Sequence, residues 1–568
     1  MFIELEKRNK MNSKFIKYTG ILSLIILIMT GCGKDFLETP DNASLTIDNF
    51  YQNKEDLDMA LTAAYSVFKA ADLDDGNIIG TTFCHGHFLL GDANSDDAEV
   101  GGGIGEAPEL VLMSECISPT NNGVLNSTWT GLYQGIYRSN LVIENATNAL
   151  GKLTQNEVDK YIAEAKFIRS YCFFHLARIF GPVPLITHTL SSESFYAIIR
   201  NPLSEIYQQI EEDLYYAADK LEWAAQFDGH ANKGSALGLL SKVLLFESSY
   251  AHNYPGNEQF EGLQEKWGEA YDAANEVIQS GMYDLSLNYS QIFHTEGEFG
   301  KESVFEILFM SAGDAYHGRN NGNTFAIYYR SRSMGGWGFD LPSQNLVDAY
   351  ENGSKTYETG KWVETGNPAD SSSWQDPRMD WTIVFENEPA WWDTSVTMTN
   401  GEGLTQYYTG YCNQKIYTPE ESMPGNFSNF PNNIRLLRYA DVILIAAEAA
   451  YFKGDAATSI QLVNSVRDRA RRDSDNPNAL PPIPGSVAGE DLLNVIKHER
   501  RVELAMEGNR YWDLLRWGDA KETLRNFYAT NDLHNVEDPF VVGVNEFLPV
   551  PLNEIRNSKG ALTQNEGY

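Results

Sequence analysis

The chain has 568 residues, enough to bury a sizeable core, and its 43 basic residues stand against 78 acidic ones for a formal net charge of −35. Such a balance repels phosphates and argues against a nucleic-acid partner. The 28 Phe, 30 Tyr and 11 Trp are enough for both a core and an exposed binding surface.

Lys14 and Lys17 precede the apolar run ILSLIILIM at 21–29, which is too short to span a bilayer and suits a secretory signal. It ends at Thr30-Gly31-Cys32, which looks like a bacterial lipoprotein signal cut before Cys32, whose thiol is then lipidated. Residues 1–31 are thus expected to be a signal peptide. Residues 32–55, with Pro40 and no hydrophobic period, are expected to form a lipid-anchored tether leading into the fold. Several acyl chains on one residue anchor firmly where a single chain holds marginally. The remaining cysteines, Cys84, Cys116, Cys172 and Cys412, have no close pairs of the kind that bind zinc. No disulfide framework is expected, although a Cys84–Cys116 bridge stays open.

Residues 56–310 are expected to be a helical body. Leu57, Leu61, Ala64, Tyr65 and Phe68 make one helical stripe, and a second helix is expected from near Trp129, with Tyr133, Ile136, Tyr137 and Asn140 on its face. That aromatic stripe reads as core, not as a ligand surface. Helices follow at 155–180, ended by Gly181-Pro182, at 203–221, at 235–250 and at 266–279. Between them, 74–123 is loop-rich. There Asp92, Asn94 and Asp96 alternate as in a calcium loop, but Asp97 replaces the sixth-position glycine and no glutamate stands at position twelve. A solvated acidic loop or a packing turn is the expectation. His85 and His87 lack a second cluster, so no metal site is expected, and no cofactor.

Residues 311–430 break the helical period with turn clusters such as GRNNGN and SMGGWG. This fifth of the chain carries six of the eleven tryptophans. Aromatic residues concentrated on irregular backbone are placed where a rigid scaffold presents its binding groups. A sugar's apolar face lies flat on such rings while its hydroxyls need amide and charged partners. The candidate contacts are therefore Trp337, Trp391, Trp392, Trp374, Tyr407 and Tyr408, with Arg330 and Asn323 at the rim.

Residues 431–568 return to helices, at 435–452, at 456–471 and in the stretch DLLNVIKHERRVELAMEGNRYWDLLRWG at 491–518. That stretch reads as two amphipathic segments joined at Gly508. Glu499 and Glu503 fall inside its apolar stripe, where an unpaired carboxylate is costly, so cations must lie nearby. Arg500, Arg501, Arg510 and Arg516 are the local supply. Side chains four apart on one helix point the same way, so an ion network is expected and not a catalytic pair. No nucleophile elbow, zinc-protease helix or Cys/His signature is found, and no enzyme is expected.

ELAMEGNRYWDLLRWG, with AEAKFIRSYCFFHLARIFGPVPL, LLRYADVILIAAEAAYFKGD and the closing FLPVPLNEIRNSKGALTQNEGY, resembles the SusD/RagB family of surface lipoproteins. The resemblance implies a mainly α fold, tetratricopeptide-like helical hairpins in a superhelix with the loop-rich insertion as binding surface, in one unit over 32–568. It also implies an outer-membrane lipoprotein facing the cell exterior, which captures an oligosaccharide for a TonB-dependent SusC-like transporter. A peptide-capturing lid of the RagB type, or a helical-repeat scaffold binding only protein, are the alternatives.

Overall fold

The computed structural model describes residues 49–68, 83–191, 196, 198–310, 322–323, 325–353, 355–358, 361–364, 374–390, 393–398, 401, 403–415 and 430–568. The signal peptide, Cys32, Trp391 and Trp392 lie outside the described residues. The chain divides into two compact units, Met1–Tyr51 and Gln52–Tyr568. In the first, the Phe50 and Tyr51 rings meet edge to face at 4.7 Å.

The second unit is a stack of helices. The first, α1 (Lys54–Tyr65), starts where the Asn53 side chain accepts from the Asp56 amide. It is followed by α2 (Phe83–Asp92) and the short strand β1 (Ala98–Gly101). Next comes α3 (Gly123–Asn145), which begins earlier than the aromatic stripe suggests because Asn122 caps the Leu125 amide. A capping box between Thr154 and Glu157 opens α4 (Gln155–Phe180), and Gly181, at φ 71°, closes it. Further along lie α5 (Leu203–Lys220), α6 (Lys233–Asn253) and α7 (Trp267–Gln279). Each packs on the next, α3 on α4, α4 on α5, α5 on α6 and α6 on α7. Gly135 of α3 marks how tightly: a Cβ there would sit 2.7 Å from the Cys172 sulfur. Cys172 is the buried small hydrophobe its neighbours suggest, and Cys116 is a free thiol.

Strand β2 (Ser303–Ile307) leads into the irregular region, where β3 (Phe339–Pro342) pairs antiparallel with β1. There too β4 (Ile383–Phe385) pairs antiparallel with β5 (Tyr411–Asn413). The chain returns through β6 (Ile434–Arg438), antiparallel to β2, so the insertion leaves and rejoins the scaffold through one two-stranded neck. This corrects the helix expected from 435. The first residues are extended because Arg435 and Arg438 send their guanidinium groups to Glu306 and Glu302 across the pair. The helix α8 begins only at Tyr439 and runs to Phe452, and α9 (Ala456–Arg471) folds back on it.

The last part is α10 (Glu490–Glu503), α11 (Arg510–Trp517), α12 (Ala520–Thr530) and α13 (Leu552–Asn557). Gly508 does not end α10, which stops four residues before the reach its apolar period suggests. The Glu503 carbonyl is taken by side chains instead, accepting from the Tyr289 hydroxyl at 3.0 Å and from Lys415 and Arg438 at 3.1 Å each. Gly508, at φ 73°, has a different task. Its carbonyl lies so close to α2 that a Cβ on Gly91 would fall 2.0 Å from it. Only glycine at both positions permits that contact.

Glu499 and Glu503 are fully buried in an ion network, but not with the arginines beside them in sequence. Glu499 binds Arg378 at 2.6 Å and Arg467 at 3.0 Å. Glu503 binds Arg438 at 3.1 Å and Arg378 at 3.2 Å, and also Arg469. The four neighbours on the motif point elsewhere: Arg500 to Asp441 and Asp513, Arg516 to Glu448, and Arg501 and Arg510 to the acidic turn after α2. Burial alone would raise the Glu503 carboxyl, yet Arg469, Arg438, Arg378 and Lys415 pull it down to about 2. Removing one partner of such a buried cluster strands the others. Glu503→Gln should therefore lower unfolding free energy by about 3–5 kcal/mol, measured by urea denaturation at neutral pH. The depressed value also means that the Glu503 contribution is complete above its unfolded value of 4.5 and disappears as pH falls through about 2, so the variant and parent should converge on acidification.

Candidate functional site

The turn at Asp92–Asp97 is neither solvated nor a loose acidic loop. Asp96 takes Arg501 at 3.0 Å and Arg510 at 2.8 Å, Asp97 takes Arg501 at 2.7 Å, and Asp92 accepts the Gly508 amide at 2.8 Å. It is a packing turn that clamps the C-terminal motif. It also sets β1, which pairs with β3 and so positions the start of the insertion. His87 is likewise internal, with its Nδ1 3.0 Å from Arg178, and His85 side-chain placement lies outside the described residues.

Beyond β1 the loop at 101–106 is stitched to the insertion. The Gln406 amide donates to the Gly102 carbonyl at 2.9 Å, Gly105 donates to the Gln406 side chain at 3.0 Å, and Arg332 pairs with Glu106 at 3.1 Å. Tyr407 follows with φ 49°, a left-handed geometry that turns its ring inward. The ring lies 4.0 Å from that of His534, and its hydroxyl donates to Glu115 at 3.0 Å. His534 stands between two carboxylates, 2.8 Å from Glu99 and 3.1 Å from Glu115, so both ring nitrogens must donate and the ring is an imidazolium. Burial opposes the charge, but the hydrogen bonds and charges of Glu99 and Glu115 hold His534 above its ordinary 6.5.

Tyr408, half-buried, borders a hollow of about 380 Å³. Gln344, Asn345 and Asp348 from one side and Asn531 and Phe527 from the other complete its walls. The Tyr408 and Phe527 rings, three amides, the carboxylates of Glu99, Asp348 and Asp532 and the hydroxyls of neighbouring Thr409 and Thr530 line one space. Such a donor set is suited to hydrogen-bonding a polyhydroxylated ligand, with flat apolar area beside it.

The other sequence candidates are placed differently. Trp337 is half-buried in Gly335-Gly336-Trp337-Gly338; its amide donates to the Ile327 carbonyl at 2.7 Å and its ring meets Tyr328 edge-on at 4.8 Å. Trp374 is half-buried, and its carbonyl accepts from Gly353 at 2.6 Å. Arg330 is buried at 2% exposure and Asn323 at 6%. Asn323 exchanges backbone hydrogen bonds with Phe430 and donates its amide to the Asn432 carbonyl at 2.6 Å, closing the base of the insertion. Tyr408 therefore lines the hollow, while Trp337, Trp374, Tyr407, Arg330 and Asn323 do not. Sequence reasoning missed the far wall, because Phe527 and Asn531 belong to the end of α12, over a hundred residues from the insertion. The only sequence signal is the polar run Asn531-Asp532 where the helix stops.

Stacked helical hairpins holding out a loop-rich insertion define the class of protein to which the comparisons then give a family. The model described as "SusD family" matches residues 301–568, and the one described as "Starch-binding associating with outer membrane" matches residues 35–245. The chain belongs to the SusD family. It is 25% identical to SusD-like protein P2 of Formosa agariphila, over 96% of this chain and 99% of that one. Among solved structures it resembles surface glycan-binding protein A from Bacteroides fluxus, with a TM-score of 0.70 and 26% identity, covering 91% of this chain and 100% of that one. A laminarin binding SusD-like protein matches with a TM-score of 0.68 and 25% identity, again over 91% and 100%. The mainly helical fold expected from the hairpin pattern is the fold of these proteins.

His534 makes this site pH-sensitive with a definite sign. A raised folded value means that its stabilisation is whole below 6.5 and fades as pH rises through the folded value. His534→Gln should be less stable than the parent by about 1–3 kcal/mol near pH 6. The gap should narrow as pH rises above 6.5 through the raised folded value and the parent's imidazolium loses its proton, as thermal melting of both proteins would show.

Proposed function

We propose that the protein is a non-catalytic glycan-binding lipoprotein of the outer-membrane surface, tethered through Cys32, which captures an oligosaccharide and passes it to a TonB-dependent SusC-like transporter. The observation that carries this reading is the near-complete alignment, across 91% of the chain, with a laminarin binding SusD-like protein and a surface glycan-binding protein A. The hollow beside Tyr408 is consistent with it, since ring, amide and carboxylate groups converge there on a space of small-ligand size.

In this reading the half-buried rings do the binding. Tyr408 contacts ligand at the hollow and Tyr407 holds the turn that aims it; Trp337 and Trp374 are further half-buried rings away from the hollow, and Trp391 and Trp392 stay candidates on sequence alone. Arg330 and Asn323, being buried, act by fixing the insertion and not by touching a sugar. Recognition without turnover is supported by the relatives this chain resembles, which are named for binding: a laminarin binding SusD-like protein and a surface glycan-binding protein A. The described residues contain no helix long and apolar enough to cross a membrane; attachment through lipid at Cys32 is the reading that the run 21–29 ending in Thr30-Gly31-Cys32 supports.

Affinity gel electrophoresis of protein lacking residues 1–32, across a panel including laminarin and starch, tests this. At least one polysaccharide should retard the parent, and Tyr408→Ala should weaken that by roughly tenfold. Trp391→Ala with Trp392→Ala should also weaken it, and no reducing sugar should appear on prolonged incubation. Free migration through every glycan would refute the proposal.

A further inference from the structure

A second hollow, of about 390 Å³, lies between the outer face of α3, the segment 184–198 and α13. Its chemistry differs from that of the first. Trp129, Tyr133 and Tyr137 of α3 line one side at helical spacing, with Trp129 and Tyr133 rings 5.0 Å apart and Tyr137 53% exposed. Ile186 and Leu562 close the apolar remainder. The Tyr133 hydroxyl is already committed to the Pro184 carbonyl at 2.8 Å, and the Asn140 amide to Ile186 at 3.0 Å. Neither polar group is left over for a ligand to satisfy.

Apart from its tyrosines, two titratable groups line it, the exposed His188 and Glu554. Glu554 of α13 projects its half-buried carboxyl into this hollow, where the Asn557 side chain hydrogen-bonds to it and burial pushes it above its ordinary value. No lysine or arginine lines the hollow. A carboxylate drawn partly out of water with no lysine or arginine beside it favours a cation, and the more accessible Tyr133 and Tyr137 rings in the same lining attract positive charge. A sugar hydroxyl can hydrogen-bond the carboxylate, but only a cation matches its charge, and an anion would be repelled.

We propose that this hollow binds an organic ammonium: a positive head held against Glu554 and the Tyr133 and Tyr137 rings, with its carbon substituents on Ile186 and Leu562. The net charge of −35 favours approach of such a cation from any direction. The ammonium could be presented by a small molecule or by a lysine side chain, and the two sources share this chemistry.

Calorimetric titration of the soluble chain with choline, with Nα-acetyl-lysine methylamide and with 3,3-dimethylbutanol separates them. The last is the uncharged isostere of choline. Choline or the lysine derivative should bind saturably and at least about tenfold more tightly than the isostere, the tighter of the two identifying the source. Glu554→Gln, on a short surface helix, should reduce that binding about tenfold, and Tyr137→Ala should also reduce it. Each variant should melt as the parent does and keep its retardation by glycan. Equal binding of choline and its isostere, no saturable binding of either cation, or an unchanged affinity in Glu554→Gln would overturn the proposal.

Discussion

Two buried carboxylates on one helix hold this molecule together. Glu499 and Glu503 collect guanidinium groups from the insertion through Arg378, from its return strand through Arg438 and from α9 through Arg467 and Arg469. Each charge is out of water, so each is tolerable only while the others are in place. A hydrophobic cluster of the same volume could supply equal stability, but it would not specify which segment meets which. The network does, because a guanidinium fork satisfies a carboxylate in few orientations. The same helix end receives Lys415 and Tyr289 on the Glu503 carbonyl, so the insertion is attached to backbone as well as side chains.

This arrangement explains how so irregular a region can be held in place. Among the described residues the insertion has only two-stranded pairings. Such ribbons are marginal alone. Here they are bolted at intervals: Glu351 to Arg467, Arg378 to Glu499, and Lys415 to Glu507. Between those bolts the loops are free to present groups that a packed core would not allow, such as Tyr408 beside its hollow.

Much of the scaffold was legible in the sequence and little of the site. Helical stripes, Thr154 with Glu157, and Gly181 mark helices because their causes are local: period, cap and left-handed stop. The burial of Glu499 and Glu503 was also legible, since a helix period reports which face is inside. Their partners were not, because Arg378 lies 121 residues from Glu499 and spacing in sequence says nothing of that approach. The neighbouring arginines mislead for a geometric reason: on a helix, adjacent residues face different ways, so Arg500 and Arg501 cannot serve Glu499 and instead reach Asp441 and the Asp96–Asp97 turn. The strand at Ile434–Arg438 reads as helix because its apolar pair continues the pattern of α8, and only the neck with β2 makes it extended. The walls of the hollow were not legible for the same reason as the ion partners. Tyr408 is a ring on irregular backbone, but the residues of α12 that share its hollow belong to another segment, whereas Arg330 and Asn323 have polar chemistry suited to a ligand and are buried, Asn323 closing the base of the insertion.

The acidic turn joins these two levels. Asp96 and Asp97 are fixed by Arg501 and Arg510, which flank the Gly508 contact with Gly91. From there β1 runs into the loop that carries Gly102 and Gly105, and these hydrogen-bond the residue two before Tyr408. The path from the central helix to the hollow is thus short and made of charged or backbone contacts, none of which has freedom to slide. Ordering a loop on ligand binding costs about 0.5–1.5 kcal/mol for each side chain immobilised. A loop already held by Asp96, Asp97 and Gln406 has met most of that cost during folding. The carboxylate network and the aromatic hollow are therefore parts of one design: the charges buried far inside are what let a ring at the edge stand still.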